Sequence, residues 1–502
     1  MNIHSDIYIS SGLVVLSASE LAEKIRSRQV TSLDVVQAHL DHIRKHNPAI
    51  NAIVALDEES ALLQAREADE AMARGNSCGP LHGVPVTVKD NMAVKGFKTT
   101  HGYTPTVNYR PAYDATVVDR LRKEGAIILG KTNLSSLAKD YQTFNPIFGV
   151  TSNPWDVSRT PGGSTGGGAA AVAAGLSPLE IGNDLGGSLR IPAHFCGIYG
   201  LKPTERLVPR TGIIPGLPKN VRQSLRHLTC VGPLARSIED LKLCMGIISG
   251  PDGTDTDVPP VSILDHSLSK NPGDIRIAWA DVFPGVPVSA EIQAALKQLA
   301  GQLSRAGYNV VKTLPVDFDF MLAWQTWGRI MDIEFAANMP SPLFDRILLF
   351  TLGRFMERKN PLMQVVYPAT YKKYTTELWQ REKLISRMDR FMSDYDVFLC
   401  PVHTTTAFKH IHPDGYFGPY PVYRQNFPVD GHQLNYWVAN ASYTSIFNLT
   451  GHPVGVMPIG HTDGELPVGV QVVGKRWRDM ELLQIMEQMD GVVKAYRRPP
   501  GF

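Results

Sequence analysis

The apolar positions along the chain change period several times, and each change marks an element. Leu33, Val36, Leu40 and Ile43 lie three or four residues apart, which lays one apolar stripe along a helix. Ser17-Ala-Ser-Glu20 and Thr31-Ser-Leu-Asp34 have the form of N-terminal capping boxes, the second with Asp in place of Glu. The second helix is expected to end near His46-Asn47-Pro48. A further helix rich in Ala, Glu and Leu is expected over 58–74, making 17–75 an N-terminal helical segment.

From Gly79 the period shortens. GVPVTVKDN (83–91) alternates valine with other residues and predicts a short buried strand that ends in charge. EGAIILGKTN (124–133) predicts a second strand, fed by a helix across 115–124. VGPLARSIEDLKLCMGIISG begins another helix with Ser237 as its cap. Residues 274–281 and 307–315 predict strands flanking a helix at 289–305, and 395–401 and 467–474 return to strand character. Alternation of this kind predicts an α/β layered architecture. Residues 316–395 are mostly helical and rich in aromatic side chains and Met: Phe318, Phe320, Met321, Trp324, Trp327, Met331, Phe350, Phe355 and Met356. Such a stripe is either core or the wall of an apolar substrate channel. Nothing resembles a linker or an internal repeat, so one large domain over 1–502 is expected.

Composition narrows the function classes. The chain has 502 residues, 43% hydrophobic and 20% charged, with a formal net charge of +2, so nothing calls for nucleic acid or an anionic membrane as a partner. Five scattered cysteines, without a CxxC pair or a His at ligand spacing, argue against both a disulfide framework and a zinc site. Neither a secretory leader pattern nor an apolar run of the roughly 18 residues needed to span a bilayer is present, so the expected location is cytoplasmic.

The chemistry concentrates in SRTPGGSTGGGAAAVAAGLSPLEIGNDLGGSLRIP, residues 158–192. A phosphate loop would need Lys-Ser or Lys-Thr after its glycines, and Ala169-Ala170-Ala171 follows instead. Gly162-Gly163-Ser164-Thr165-Gly166 satisfies G-x-S-x-G, but the residues before it read as a loop where a nucleophile elbow needs a strand. The whole stretch fits a third chemistry. Two Gly-Gly-Ser units, 162–164 and 186–188, flank an Ala-rich helix. The backbone amides of Leu185, Gly186, Gly187 and Ser188 would receive an oxyanion, with the Ser188 hydroxyl beside them as nucleophile. Lys89, at the end of the Val-rich strand, would lose solvation and act as a neutral base, with Ser164 relaying the proton. His194 and Cys196 read as packed residues, whereas Asp90 and Asn91 could either bind substrate or close the strand.

The blocks GPLHGVPVTVKDN, GAIILGKTNLSS, NPWDVSRTPGGSTGGGAAAVAAG, DLGGSLRIPAHFCGIYGLKPT, GPLARSIEDL and NLTGHPVGVMPIG resemble, in order, those of the amidase signature family of serine hydrolases. They cover most of 17–475. The resemblance implies a single large domain with a central mixed β-sheet covered by helices on both faces, a signature core over 76–250 and a variable helical substrate region over 316–395. It also implies a Ser-cisSer-Lys triad of Ser188, Ser164 and Lys89, with Thr165, Asp184 and Arg190 supporting the nucleophile loop. Two positions depart from the family pattern: Thr165 stands where a second serine is usual, and Asn183 where Ser or Thr is usual.

The implied activity is cleavage of a carboxylic amide through an acyl-enzyme, with esters and carbamates open to the same apparatus and no cofactor or metal. Trp324, Trp327 and Met331 are expected to line a pocket for an apolar acyl or aryl group on a small-molecule amide. The alternative within the family is the glutaminase subunit of a tRNA-dependent amidotransferase, against which the aromatic stripe weighs mildly. A homodimer is compatible with either reading.

Overall fold

The computed structural model describes residues 12–76, 79–213, 225–261, 270–337, 370–417 and 420–502. Both capping boxes form. Helix α1 (Ala18–Arg26) is capped by Ser17, which accepts from the Glu20 amide, and α2 (Ser32–Ile50) by Thr31, which accepts from the Asp34 amide. Helix α2 runs past the expected stop, with Pro48 inside its last turn, and ends at Asn51 in the left-handed conformation. The Asn47 side chain holds that exit by accepting from the Ala52 and Ile53 amides at 2.9 Å each. Helix α3 (Glu58–Ala73) and α4 (Thr116–Lys123) lie where the sequence placed them.

Among the described residues, eleven strands form one mixed sheet. In chain order they are β1 (Ile53–Leu56), β2 (Pro85–Lys89), β3 (Ile127–Thr132), β4 (Leu179–Asp184), β5 (Tyr199–Lys202), β6 (Cys230–Ala235), β7 (Arg276–Trp279), β8 (Asn309–Lys312), β9 (Val397–Pro401), β10 (Val454–His461) and β11 (Pro467–Val473). Their spatial order is β1-β3-β2-β4-β6-β5-β10-β11-β9-β7-β8. Strands β3, β2 and β4 are parallel, β4 to β9 run antiparallel to their successive neighbours, and β9, β7 and β8 are again parallel. The segment 231–235, expected to open a helix, is strand β6; helix α7 (Ile238–Ile248) starts after it, with Ser237 as cap as expected.

The remaining described helices are α5 (Gly166–Ala173), α6 (Arg190–Cys196), α8 (Ala290–Arg305), α9 (Phe320–Ala337), α10 (Tyr371–Ser393), α11 (Tyr436–Ala441), α12 (Ser445–Thr450) and α13 (Asp479–Val493). Phe350, Phe355 and Met356, named in the aromatic stripe, lie outside the described residues. Alternation on the strands divides the core between the two sheet faces. Val86, Val88, Ile128 and Ile181 join the large cluster with α1, α4, α7 and α13. Ile127 and Leu129 point the other way, to Ala170, Ala171 and α2. Helices therefore cover both faces. Among the described residues no helix is long and apolar enough to cross a membrane.

Candidate active site

Two neighbouring strands and two short helices bring the signature residues together. Lys89 is the last residue of β2, so it follows Val88 and leaves the sheet on the α5 face. Ser164 and Thr165 lead into α5, and Ser188 lies between β4 and α6. Lys89 Nζ donates to Ser164 Oγ at 2.7 Å and to Thr165 Oγ1 at 2.9 Å. The peptide bond between Gly163 and Ser164 is cis. Thr165 N donates to Ser188 O at 3.2 Å, which ties the second serine segment to the first. The Ser188 side chain makes no hydrogen bond to a described residue and is 8% exposed, whereas Lys89 is 0% exposed. Burial lowers the Lys89 pKa to about 7, against the opposing pull of the Asp184 and Glu180 carboxylates.

The departures from the family pattern have local explanations. Thr165 keeps the hydroxyl that Lys89 contacts, and its methyl lies where a side chain at position 182 would begin: a Cβ on Gly182 would stand 2.6 Å from Thr165 Cγ2. Asn183 Oδ1 accepts from Asn91 Nδ2 at 3.0 Å. Asp90 pairs with Lys131 at 3.2 Å, so Asp90 and Asn91 close the strand end.

The loop that carries Ser188 is held by a buried ion pair. Arg190 forks Asp184 through Nη2 at 2.8 Å and Nε at 3.0 Å, and Asp184 also accepts from the Gly187 amide at 2.8 Å and the Leu189 amide at 3.1 Å. Burial pushes the Asp184 carboxyl up, but the Arg190 charge and bonds outweigh it and hold the group well below the usual carboxylate range. The Gly187 amide is therefore committed to Asp184, unlike those of Leu185, Gly186 and Ser188. Residues that sequence reasoning missed complete the brace. Arg190 Nη1 donates to Thr444 O and Gln471 Oε1, both at 2.8 Å, and Nη2 donates to Asn448 Oδ1 at 2.5 Å. Thr444 Oγ1 in turn donates to Gly186 O at 2.5 Å.

The three residues expected to line the acyl pocket separate. Trp324 is buried in the core, with Nε1 donating to Ser442 O at 2.6 Å, and Met331 packs half-buried against the same cluster. Of the three, Trp327 alone reaches the loop that carries Ser188: Nε1 donates to Leu185 O at 3.1 Å, and a Cβ on Gly186 would lie 2.8 Å from its ring. Tyr141 Oη lies 3.0 Å from that same Cβ position. The segment carrying Tyr141 presses on the first glycine pair, because a Cβ on Gly163 would meet Asp140 O at 2.6 Å. Asp140 is fixed there by the hydroxyls of Tyr423 and Tyr436, at 2.5 and 2.6 Å.

His194 is structural. Its Nδ1 accepts from the Gly469 amide at 2.7 Å, and burial lowers its pKa to about 3. Cys196 is buried and its thiol pKa is pushed up by burial.

The Amidase family model matches residues 34–483. A glutamyl-tRNA(Gln) amidotransferase subunit from Carboxydothermus hydrogenoformans is 33% identical, over 97% of this chain and 99% of that one. Indoleacetamide hydrolase from Bradyrhizobium diazoefficiens is also 33% identical, over 92% of this chain and 84% of that one. Among solved structures, 6-aminohexanoate cyclic dimer hydrolase complexed with substrate superposes with a TM-score of 0.76 at 26% identity, covering 97% of this chain and 99% of that chain. The chain belongs to the amidase family, the amidase-signature hydrolases of C–N amide bonds.

Proposed function

We propose that the chain cleaves a carboxylic amide through a serine acyl-enzyme, with Ser188 as nucleophile, Ser164 as relay and Lys89 as base. The observation that carries this reading is the 2.7 Å contact between Lys89 Nζ and Ser164 Oγ, made by a lysine sealed from water. With a pKa lowered to about 7, a large share of Lys89 is free amine at neutral pH. In acylation, Ser188 Oγ forms a bond to the carbonyl carbon while its proton passes to Ser164 and the Ser164 proton passes to Lys89 Nζ. The carbonyl electron pair moves to oxygen, which the amides of Leu185, Gly186 and Ser188 receive. Collapse breaks the C–N bond, and the Lys89 ammonium returns its proton through Ser164 to the leaving amine. Water then cleaves the ester by the same relay. A fluorophosphonate probe should label the parent, fail on Ser188→Ala and react far more slowly with Lys89→Met; a folded parent that does not label overturns the mechanism.

For the acyl group, the first reading is apolar or aryl. It rests on Trp327, whose ring abuts the loop that would hold the carbonyl, and on Tyr141 beside it. The second reading, a glutaminase subunit of a tRNA-dependent amidotransferase, has the wider support from the relatives: the match to the amidotransferase protein spans nearly the whole of both chains. One panel separates the two: acetamide, an aryl anilide, a long-chain acyl amide, and glutamine with and without a partner subunit. Fastest turnover of the anilide or acyl amide supports the first reading. Glutamine hydrolysis that a partner subunit stimulates replaces it with the second, and best activity on acetamide removes the apolar pocket.

A further inference from the structure

Glu180 is a buried carboxyl that this relay does not use. Strand β4 sets it opposite Thr87, two residues before Lys89 on β2, so Thr87, Lys89 and Glu180 leave the same face of the sheet. Glu180 is 0% exposed. Thr132 Oγ1 donates to Glu180 Oε1 at 2.6 Å, the Thr87 hydroxyl faces the same carboxyl, and Oε2 makes no hydrogen bond of good geometry among the described residues. The space for this side chain comes from the third glycine of Gly166-Gly167-Gly168. A Cβ on Gly168 would lie 2.4 Å from Glu180 Cγ and 2.5 Å from its carboxyl carbon and Oε1. Helix α5 thus approaches the sheet with a carboxyl wedged between them, directly behind the triad.

A carboxylate with an unbonded oxygen in such a place is costly unless a cation faces it. The cations within electrostatic reach are Lys89 on β2 and Lys131 on β3. Lys131 is already held by Asp90 Oδ1 at 3.2 Å, Met92 O at 2.8 Å and Thr99 Oγ1 at 3.2 Å. From the side of Lys89, the facing carboxylates are Asp184 and Glu180, and Asp184 is forked by Arg190. His101 is also near, but burial keeps its imidazole neutral. Among the described residues, Glu180 is therefore the counter-carboxylate of Lys89 that no arginine quenches.

We infer that Glu180 is a positioning residue that sets the proton affinity of Lys89 and stabilises the ammonium formed as Ser188 attacks. The inference rests on Lys89 being the base. When Glu180 is ionised, the ammonium is favoured; when Glu180 carries the proton, Lys89 is left as free amine. Burial drives the Glu180 carboxyl up to about 7 and the Lys89 amine down to about 7, so the two groups change charge in the same pH range and the charge on each biases the other.

The test is the pH profile of kcat/KM, or of fluorophosphonate labelling of Ser188, in Glu180→Gln. Loss of the charge should move the acid limb down by roughly one pH unit and lower the plateau by about threefold to tenfold. Glu180→Asp, which keeps the charge, should bring the limb back toward the parent's position. If Gln does not fold, Glu180→Met removes both the charge and its need for a partner at similar volume, and the same shift is expected. A purely structural role would lower Tm or the active fraction and leave the limb in place; a folded Gln or Met variant whose limb superimposes on the parent's overturns the inference. Lys89→Met separates this outcome from failure of the relay itself. If Lys89→Met still labels at the parental rate, the base assignment falls. If it is silent while the Glu180 variants keep the parental limb, the role of Glu180 alone falls.

Discussion

Replacing Thr165 by Val removes one hydroxyl from the base and nothing from the shape around it. A neutral amine has two N–H bonds and one lone pair. The ammonium donates to both hydroxyls; once it has lost a proton, the 2.9 Å contact with Thr165 Oγ1 still engages one N–H, which lets the lone pair turn to Ser164, 2.7 Å away. The Thr165 hydroxyl directs its own hydrogen at Asn183 O, at 3.4 Å, which leaves an oxygen lone pair facing Lys89. As the proton arrives, Lys89 becomes an ammonium and this bond becomes charge-assisted. A hydrogen bond to a charged group is worth about 1.5–2 kcal/mol at the lower end of its range, or roughly a 10–30-fold fall in kcat. Because Asn183 O also belongs to the β4–β6 pairing, the stability cost should be near 1 kcal/mol. The assay is kcat and KM on the best amide of the panel, with the labelling rate as an independent measure. Thr165→Ser should stay near the parent, since it keeps the oxygen, and Thr165→Val should lose kcat with little change in KM. A folded Thr165→Val enzyme that turns over at the parental rate would show that Thr165 does not orient the base.

Arg190→Met should lower stability by about 3–5 kcal/mol, because it leaves Asp184 as a buried, unmatched carboxylate. In the parent, a carboxyl pKa depressed by folding contributes stability above its unfolded value and loses it only as pH falls through the lower folded one. In the variant, burial without the guanidinium raises the same carboxyl, so the Tm deficit should be largest near neutral pH and shrink as acid protonates Asp184; a deficit that stays constant with pH refutes the pairing argument. In the parent, kcat/KM should rise with pH through a midpoint near 7, as Lys89 loses its proton; a profile flat across that region counts against Lys89 as base. Trp327→Ala should cut activity on an aryl or long-chain amide by about tenfold or more, through some 1.5–3 kcal/mol of lost apolar contact, while sparing acetamide. Equal losses on both substrates would place Trp327 in loop support alone.

The sequence was most legible where a single segment carries the whole signal. Ser17 with Glu20 and Thr31 with Asp34 close their own capping boxes, so their positions could be read without the rest of the chain. Strands β4 and β6 were not legible. Gly182 faces Gly232 and Ile181 faces Pro233 across the pair, which breaks the apolar alternation that announces a strand. Those glycines answer to distant partners, because a Cβ on Gly182 meets Thr165 and one on Gly232 meets Leu201 O. Pro48 read as a terminator because a proline removes a donor, but the last turn of α2 tolerates it and the Asn47 side chain takes over the capping.

Lys89, Ser164 and Ser188 stood out through paired glycine units, whereas Thr444 and Gln471 had no local mark and Asn448 only opened the block NLTGHPVGVMPIG without a role. They act on Arg190 across more than 250 positions of sequence. Trp324 and Trp327 looked equivalent at three-residue spacing. One ring turns into the core and the other onto Leu185, a difference that only packing decides.

The brace on Arg190 has a consequence for the time order of synthesis. Lys89, Ser164 and Ser188 have left the ribosome long before Thr444, Asn448 and Gln471 exist, and those late residues hold the Arg190 guanidinium and the Gly186 carbonyl. A nascent or truncated chain thus carries every atom of the relay but lacks the clamp on the loop that presents Ser188. On the proposed mechanism, labelling of Ser188 would then report that the far end of the polypeptide has docked, so a covalent probe would gauge completed folding as well as chemistry.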